Sequence, residues 1–237
     1  MKKIIYISLI LLLNTILYSQ ETVRIFGHVT DFNNNPLDSV LVILKNKNFE
    51  NLYQTLTNKS GYFSLNVPKG FYYCIYAIKP SDYGKTKLEY WAWNIPALND
   101  FEINPKYDRL EIYGMNAFEP QVGPFETYMI YFRPMSLTKV LQIQKFISNL
   151  DTLDIAPKNI SSDELKAYVN DIRTDIVNIN KVLEYGRGKY LYGYLIQIIK
   201  PINNKEIIQG YDKISIILNS KETNEYGMGE CFIKKFP

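Results

Sequence analysis

The sequence predicts an all-β protein that is built from two β-sandwich domains. Three observations lead to this prediction. Short runs of β-branched and aromatic residues alternate with turn residues at intervals of about 8 to 12 residues. No long stretch keeps a helical period. The chain also begins with two lysines and an uncharged apolar run, which is typical of an exported protein.

Residues 1–19 form the predicted signal peptide. Two lysines make its positive start, residues 4–17 are uncharged, and Ser19 is the expected last residue removed. An uncleaved membrane anchor is the alternative, but spanning hydrocarbon needs about 20 apolar residues. Two polar residues also interrupt this run. We therefore expect no membrane span in the mature chain and a periplasmic, outer-surface or secreted location.

The charge of the mature chain argues against nucleic-acid binding. Loss of residues 1–19 removes two lysines and no acid, which lowers the formal net charge from +3 to +1. The remaining lysines are scattered among acids, and no polybasic block occurs. Such a surface has no electrostatic reason to attract a polyanion. We expect no nucleic-acid partner.

The first half of the mature chain reads as short strands separated by turn residues. Tyr62 to Val67 is the clearest case, because apolar side chains alternate there with polar ones. A domain boundary is expected just after Pro105, which gives a first domain at 20–106 and a second at 107–237. The expected strands of the first domain lie at 22–30, 40–44, 62–67, 71–78, 88–95 and 101–103.

The second half also reads mainly as strands. Ser136 is the expected cap of a short helix at 136–148, since apolar residues recur there at helical spacing. Residues 161–170 have features of a helix start but alternate like a strand, and are taken as a strand that Asn170 and Asp171 turn back. A hairpin is expected around Gly186 to Gly188, and Gly227 with Gly229 are expected to form another hairpin turn. The other expected strands lie at 110–117, 128–132, 181–185, 190–200, 214–218 and 230–236.

An ordered set of four segments in the first half carries a family resemblance. The segments are IFGHVTD at 25–31, PLDSV at 36–40, TNKSGYF at 57–63 and VPKGFY at 67–72. In order and spacing, this set resembles the carboxypeptidase regulatory-like domain over about residues 22–105. The resemblance implies a transthyretin-like β-sandwich, which in the peptidases accompanies a zinc catalytic domain that this chain lacks. The second half resembles the immunoglobulin-like β-domains that follow such modules in secreted proteins of Gram-negative bacteria.

The sequence offers little for catalysis. His28 is the only histidine, and hydrolytic triads or two-histidine zinc sites need more imidazoles. Cys74 lies in an apolar strand, and Cys74 and Cys231 are interpreted as small buried side chains, with a bridge between them left open. An unrecognised hydrolase would need acids such as Asp163 and Glu164 to converge with others in a cleft. We therefore predict no catalytic residues and no cofactor.

One turn has the spacing of a calcium loop. Asp31, Asn33 and Asn35 occupy the first, third and fifth positions of such a loop. Pro36 stands where the loop needs glycine, and Val42 stands where it needs a bidentate acid. An ordinary turn is the better interpretation, and no metal site is predicted.

The candidate binding residues are Tyr90, Trp91 and Trp93. The two tryptophans of the chain stand two residues apart, so a strand places them on one face. An exposed face would be a stacking platform for a glycan or for a surface protein. A buried face would be core or the seam between the domains. The sequence thus favours a non-catalytic binding module, with a structural or accessory subunit of a surface complex as the alternative.

Tyrosines are a second candidate surface. The chain has 20 tyrosines, and alternation places Tyr190, Tyr192 and Tyr194 on one strand face, opposite Leu191 and Leu195. Such a face would suit adhesion or glycan contact, because the ring supplies area and the hydroxyl a hydrogen bond. Plain strand propensity explains these residues equally well.

Overall fold

The computed structural model describes residues 20–121, 126–145, 147–202 and 206–235, and the predicted signal peptide at 1–19 lies outside this part. The regular secondary structure of the described chain is almost all strand, with one short helix, α1 (Leu137–Ile143), and a 3-10 turn at Ile147–Asn149. The strands are β1 (Thr22–His28), β2 (Leu41–Lys45), β3 (Asn51–Leu56), β4 (Tyr62–Pro68), β5 (Gly70–Ile78), β6 (Tyr90–Ala97), β7 (Phe101–Glu102), β8 (Leu110–Phe118), β9 (Thr127–Ser136), β10 (Thr152–Leu153), β11 (Leu165–Val169), β12 (Ile172–Thr174), β13 (Ile176–Gly186), β14 (Lys189–Ile199), β15 (Tyr211–Ser220) and β16 (Glu225–Lys234).

These strands form three sheets. The large sheet has the order β12-β11-β15-β16-β6-β5-β2-β3. A small sheet has the order β4-β1-β7, and a third sheet has the order β10-β14-β9-β8, with β13 paired to β14. The prediction of an all-β chain that forms two sandwiches is confirmed.

The first core lies between the small sheet and one face of the large sheet. Phe63, Leu65 and Val67 of β4 alternate into it, each at most 4% exposed, as the period of two predicts. From the large sheet, Ile75 and Tyr90 meet them in the same core. Burial of such side chains contributes about 1.5 to 3 kcal/mol each, so this interface is a main source of stability.

The second core lies between the third sheet and the large sheet. Ile130, Phe132 and Ile196 enter it from the third sheet, and Ile216 and Leu218 from the large one. All five side chains are fully buried. The second half of the chain therefore makes its own sandwich, but shares the large sheet with the first.

The predicted helix cap and two predicted turns in the second half are confirmed. The side chain of Ser136 accepts a hydrogen bond from the Lys139 backbone and caps α1. Asn170 and Asp171 have positive φ and turn β11 back into β12. Arg187 and Gly188, with φ of 52° and 79°, make the tight turn between β13 and β14.

The last strand of the chain joins the two halves. β16 pairs in parallel with β6, so that Gly229 lies beside Trp91 and Cys231 beside Trp93. The two cores occupy opposite faces of β6, because Tyr90 belongs to the first core and Trp91 and Trp93 to the second. The expected boundary near residue 106 falls between β7 and β8, and the division into 20–106 and 107–237 stays a prediction.

The expected hairpin turn at Gly227 and Gly229 is wrong. Both glycines lie inside β16, where β8 crosses closely above them. A Cβ atom on Gly227 would lie 2.3 Å from the Leu110 carbonyl oxygen, and one on Gly229 would lie 2.7 Å from Ile112. These positions need glycine for close approach of two sheets, and the chain reverses before them, at Asn224 (φ 53°).

Candidate functional site

The two tryptophans lie stacked at the centre of the molecule. Their ring centroids are 5.3 Å apart and their planes differ by 19°. Trp91 is 6% exposed and Trp93 is 4% exposed, because β6 has neighbouring strands on both sides and a core on each face. The indoles are therefore not an open platform.

Four further aromatic rings surround the stacked pair. We call this group the tryptophan cluster; it comprises Trp91, Trp93, Phe49, Tyr73, Tyr76 and Tyr113. Tyr113 of β8 meets both indoles edge-on at 5.4 and 5.1 Å. Phe49 meets them edge-on at 6.1 and 6.3 Å. Edge-to-face contacts of this kind add about 0.5 to 1.5 kcal/mol each beyond area burial.

Phe49 lies between the two indoles and solvent. It stands in the turn between β2 and β3 with φ of 62°, an uncommon conformation for a bulky residue, and is 39% exposed. The side chain of Asn46 fixes this turn by accepting hydrogen bonds from the backbone amides of Asn48 and Glu50 at 2.9 and 3.0 Å. The turn thus holds Phe49 over the indoles.

Two buried glutamates lie at the edge of the tryptophan cluster. The Trp91 indole donates a hydrogen bond of 2.7 Å to Glu111. Burial raises the pKa of Glu89 to about 7. Burial, followed by the charge of Glu89, raises the pKa of Glu111 well above its usual value. Glu89 immediately precedes β6 and Glu111 lies on β8, so the sequence gives no signal that the two carboxyls meet.

Two polar atoms of this region have no hydrogen-bond partner within the described ranges, namely Glu89 Oε2 and Trp93 Nε1. An unpaired buried donor or acceptor costs about 1 to 3 kcal/mol. With raised pKa values, the glutamates can hold protons near neutral pH, which reduces the cost of burying them. The pair is suited to proton binding.

Tyr90 points away from the tryptophan cluster and into a buried ionic group. Its hydroxyl donates to Glu230, which also accepts a hydrogen bond of 2.5 Å from Ser215. Lys213 Nζ lies 3.6 Å from Glu230 and 2.8 Å from Asp171. Burial lowers the pKa of Lys213, but these carboxylates raise it above its usual value. Tyr90 therefore serves the joint between β6, β16 and β15.

Both cysteines are free and fully buried, on either side of Trp93. Cys74 pairs with Trp93 from β5 and Cys231 pairs with it from β16. Two strand spacings separate the cysteines by about 10 Å, whereas a disulfide needs Cα atoms within about 7 Å. Burial raises the pKa of Cys74 to about 12 and that of Cys231 further. Neither thiol forms a reactive thiolate at neutral pH.

The other residues weighed for chemistry have ordinary structural roles. His28 is exposed and contacts the Tyr62 ring at 5.3 Å. Asp31 accepts hydrogen bonds from the backbone amides of Asn33 and Asn35 at 2.8 and 2.9 Å, which makes a turn. Within the described ranges, no group of three or more His, Cys, Asp or Glu side chains is placed to hold a metal ion.

The predicted acid pair and the predicted tyrosine face make ion pairs, hydrogen bonds and core contacts within the protein. Asp163 pairs with the Lys221 ammonium, and Glu164 accepts hydrogen bonds from the backbone amides of Ser161 and Lys221 at 2.9 and 2.7 Å. Tyr194 is 2% exposed and its hydroxyl donates to the Pro157 carbonyl at 2.7 Å. Near the start of the same strand, Tyr190 is 42% exposed. This strand face runs from solvent into the core.

A groove of about 930 Å³ crosses one end of the large sheet. We call it the sheet-end groove. Its lining includes Leu52, Phe71, Tyr72, Asn94, Phe118 and Tyr211. Phe71 is 68% exposed. Sequence reasoning missed this groove because its residues come from strand ends far apart in the chain.

No family model and no curated protein matches the chain. Among solved structures, BcpA, the major pilin subunit of Bacillus cereus, is 12% identical with a TM-score of 0.27, and the match covers 90% of this chain and 69% of that one. A DUF3823 family protein from Parabacteroides merdae is 10% identical with a TM-score of 0.26, over 90% of this chain and 100% of that one. The full-length major pilin SpaD from Corynebacterium diphtheriae is 10% identical with a TM-score of 0.28, over 89% and 66%.

Such low TM-scores do not assign a family or a function. The resemblance of residues 22–105 to the carboxypeptidase regulatory-like domain stays a prediction, as does the immunoglobulin-like resemblance of the second half. Within the described residues, no helix has the length and apolar character to cross a membrane.

Proposed function

We propose that the mature protein is a non-catalytic structural or accessory subunit of an assembly outside the cytoplasm. The burial of Trp91 and Trp93, at 6% and 4% exposure, is the observation that supports this most directly. Both indoles pack between β6 and the third sheet, and these aromatic contacts stabilise the joint between the two sheets. The predicted signal peptide supports the location.

A non-catalytic role has further support in the side chains that enzymes commonly use. Burial raises the pKa of both thiols, so that neither is a nucleophile at neutral pH. The only histidine, His28, contacts the ring of Tyr62 rather than a nucleophile or a base.

A glycan site at Tyr90, Trp91 and Trp93 is the less favoured function. A sugar ring would have to displace Phe49 or Tyr113 to reach an indole face, at the cost of the edge-to-face contacts that these rings make. Tyr90 is fully buried on the opposite side of the strand. The predicted binding role of the three residues therefore remains a prediction.

Native isolation tests the proposed function. The tagged full-length protein is produced in its own cells, extracted under mild conditions and separated on a native gel, and the composition of its band is measured by mass spectrometry. We expect a discrete complex of fixed stoichiometry. A glycan array with the mature protein is the complementary measurement. A monomer that binds one class of glycan, and loses that binding in the Trp93→Phe variant, would contradict the proposal.

A further inference from the structure

The sheet-end groove has the surface expected of a contact site for another protein. Three large apolar side chains, Leu52, Phe71 and Phe118, line it and are 44%, 68% and 48% exposed. Single exposed apolar residues are normal, but several that converge on one concave surface mark an interaction site. Phe71 also leans on Tyr211, with ring centroids 6.0 Å apart, so that this wall of the groove is already in place.

Two polar side chains of the groove lining are already used within the protein. The side chain of Asn46 is used in its own turn, where it donates to Glu50 at 2.6 Å and accepts from the Asn48 and Glu50 amides. The Tyr72 hydroxyl donates to the Pro68 carbonyl at 2.6 Å. Recognition of a sugar needs many free polar groups for its hydroxyls, whereas an apolar side chain needs only a desolvated pocket.

The charges of the groove are unbalanced. Its charged lining residues are Lys47, Glu119 and Lys234. Glu119 pairs with Lys200 at 2.7 Å, outside the groove lining. Lys47 and Lys234 are exposed and have no ion-pair partner in the described part of the chain. The groove therefore presents two free positive charges beside an aromatic floor, which complements a ligand that is both acidic and apolar.

The positions of the lysines set the spacing of the acids in such a ligand. Lys47 follows the end of β2 and Lys234 ends β16, and these strands are three spacings apart in the large sheet. Three spacings are about 14 Å. An extended peptide covers this distance in about four residues.

From this geometry we propose that the sheet-end groove binds an extended acidic segment of a partner protein. Two carboxylates about four residues apart pair with Lys47 and Lys234, and an aromatic or large aliphatic side chain between them packs against Phe71. This inference rests on the proposed function, since it names the site by which the subunit joins its assembly.

Binding of synthetic peptides tests the inference. The probe is a fluorescein-labelled peptide with two aspartates about four residues apart and phenylalanine and leucine between them. Its matched control carries lysine in place of each aspartate. Fluorescence anisotropy with the mature protein should detect the acidic peptide and not the basic one, and binding should weaken as salt is raised. Equal binding of both peptides, or of neither, would overturn the inference.

Variants separate the groove from the rest of the surface. Lys47→Glu with Lys234→Glu should weaken binding of the acidic peptide about tenfold or more, and Phe71→Ala by a similar factor. Matched controls are Leu56→Ala, at 59% exposure outside the groove, and Lys166→Glu. We expect these controls to bind like wild type, and binding lost equally in the controls would count against the groove.

The remaining outcomes distinguish this inference from the proposed function. An acidic oligosaccharide such as polygalacturonate that displaces the peptide, and binds more tightly, would reassign the groove to a glycan. A native complex that persists in the charge-reversed variant, with no peptide binding, leaves the proposed function standing and removes the inference. If the protein binds the peptide but forms no native complex, the groove inference stands and the proposed function is removed.

Discussion

The buried Glu89 carboxyl makes stability depend on pH in a direction that follows from its surroundings. Burial raises its pKa from 4.5 to about 7. A carboxyl whose pKa is raised by folding binds its proton more tightly in the folded state than in the unfolded state. The contribution of Glu89 to the free energy of unfolding is therefore most favourable at low pH, and it is lost as the pH rises from about 4.5 through 7.

The magnitude follows from the size of the shift. Raising the pKa from 4.5 to about 7 corresponds to about 3 kcal/mol between the two ends of this pH range. Glu89→Gln replaces the carboxyl with a neutral side chain of similar shape. We expect the variant to match wild type near pH 4.5 and to be up to about 3 kcal/mol more stable near pH 8.

Urea unfolding of both proteins across this pH range is the assay. Glu111 titrates in the same direction, and the charge of Glu89 contributes to its raised pKa. The difference between wild type and the Glu89→Gln variant therefore reports Glu89 together with its effect on Glu111. Glu126→Gln, at an exposed position, is the matched control and should change nothing. A difference that does not grow with pH, or a variant less stable than wild type near pH 8, would refute the reasoning.

Three further predictions concern the joint between the layers. Trp93→Ala should lower the free energy of unfolding by about 3 to 5 kcal/mol in urea titrations, because it removes a buried indole from the tryptophan cluster; Trp93→Phe should cost clearly less. Gly227→Ala should destabilise strongly, since its Cβ would lie 2.3 Å from a carbonyl oxygen of the facing strand, whereas Gly186→Ala meets nothing within 4 Å and should stay near wild type. Cys74 and Cys231 should react with a thiol reagent only after unfolding, and a fast native reaction or an oxidised mass would contradict their burial.

Local patterns made much of the fold predictable. The alternation in Tyr62–Pro68 gave β4 and its buried face, because the period of two needs only neighbouring residues. The cap at Ser136 and the turn at Arg187-Gly188 were equally readable, since their chemistry is local. β3 was missed because its side chains are mostly exposed and lack an apolar face.

Long-range features could not be predicted in the same way. The parallel pairing of β6 with β16 depends on residues far apart in the chain, and the two glycines that permit close crossing by β8 look like turn residues. The burial of Trp91 and Trp93 depends on this pairing. The approach of Glu89 to Glu111 is also a long-range feature, since it brings together a residue before β6 and a residue of β8.

Fluorescence quenching of the two tryptophans tests whether the indoles are buried between the sheets. Trp91 and Trp93 are the only tryptophans, so all indole emission comes from the joint between the sheets. We expect blue-shifted emission, and acrylamide quenching that is much weaker in the folded mature protein than in urea. Folded protein whose emission and quenching match those of the unfolded chain would place the indoles in water and contradict their burial between the sheets.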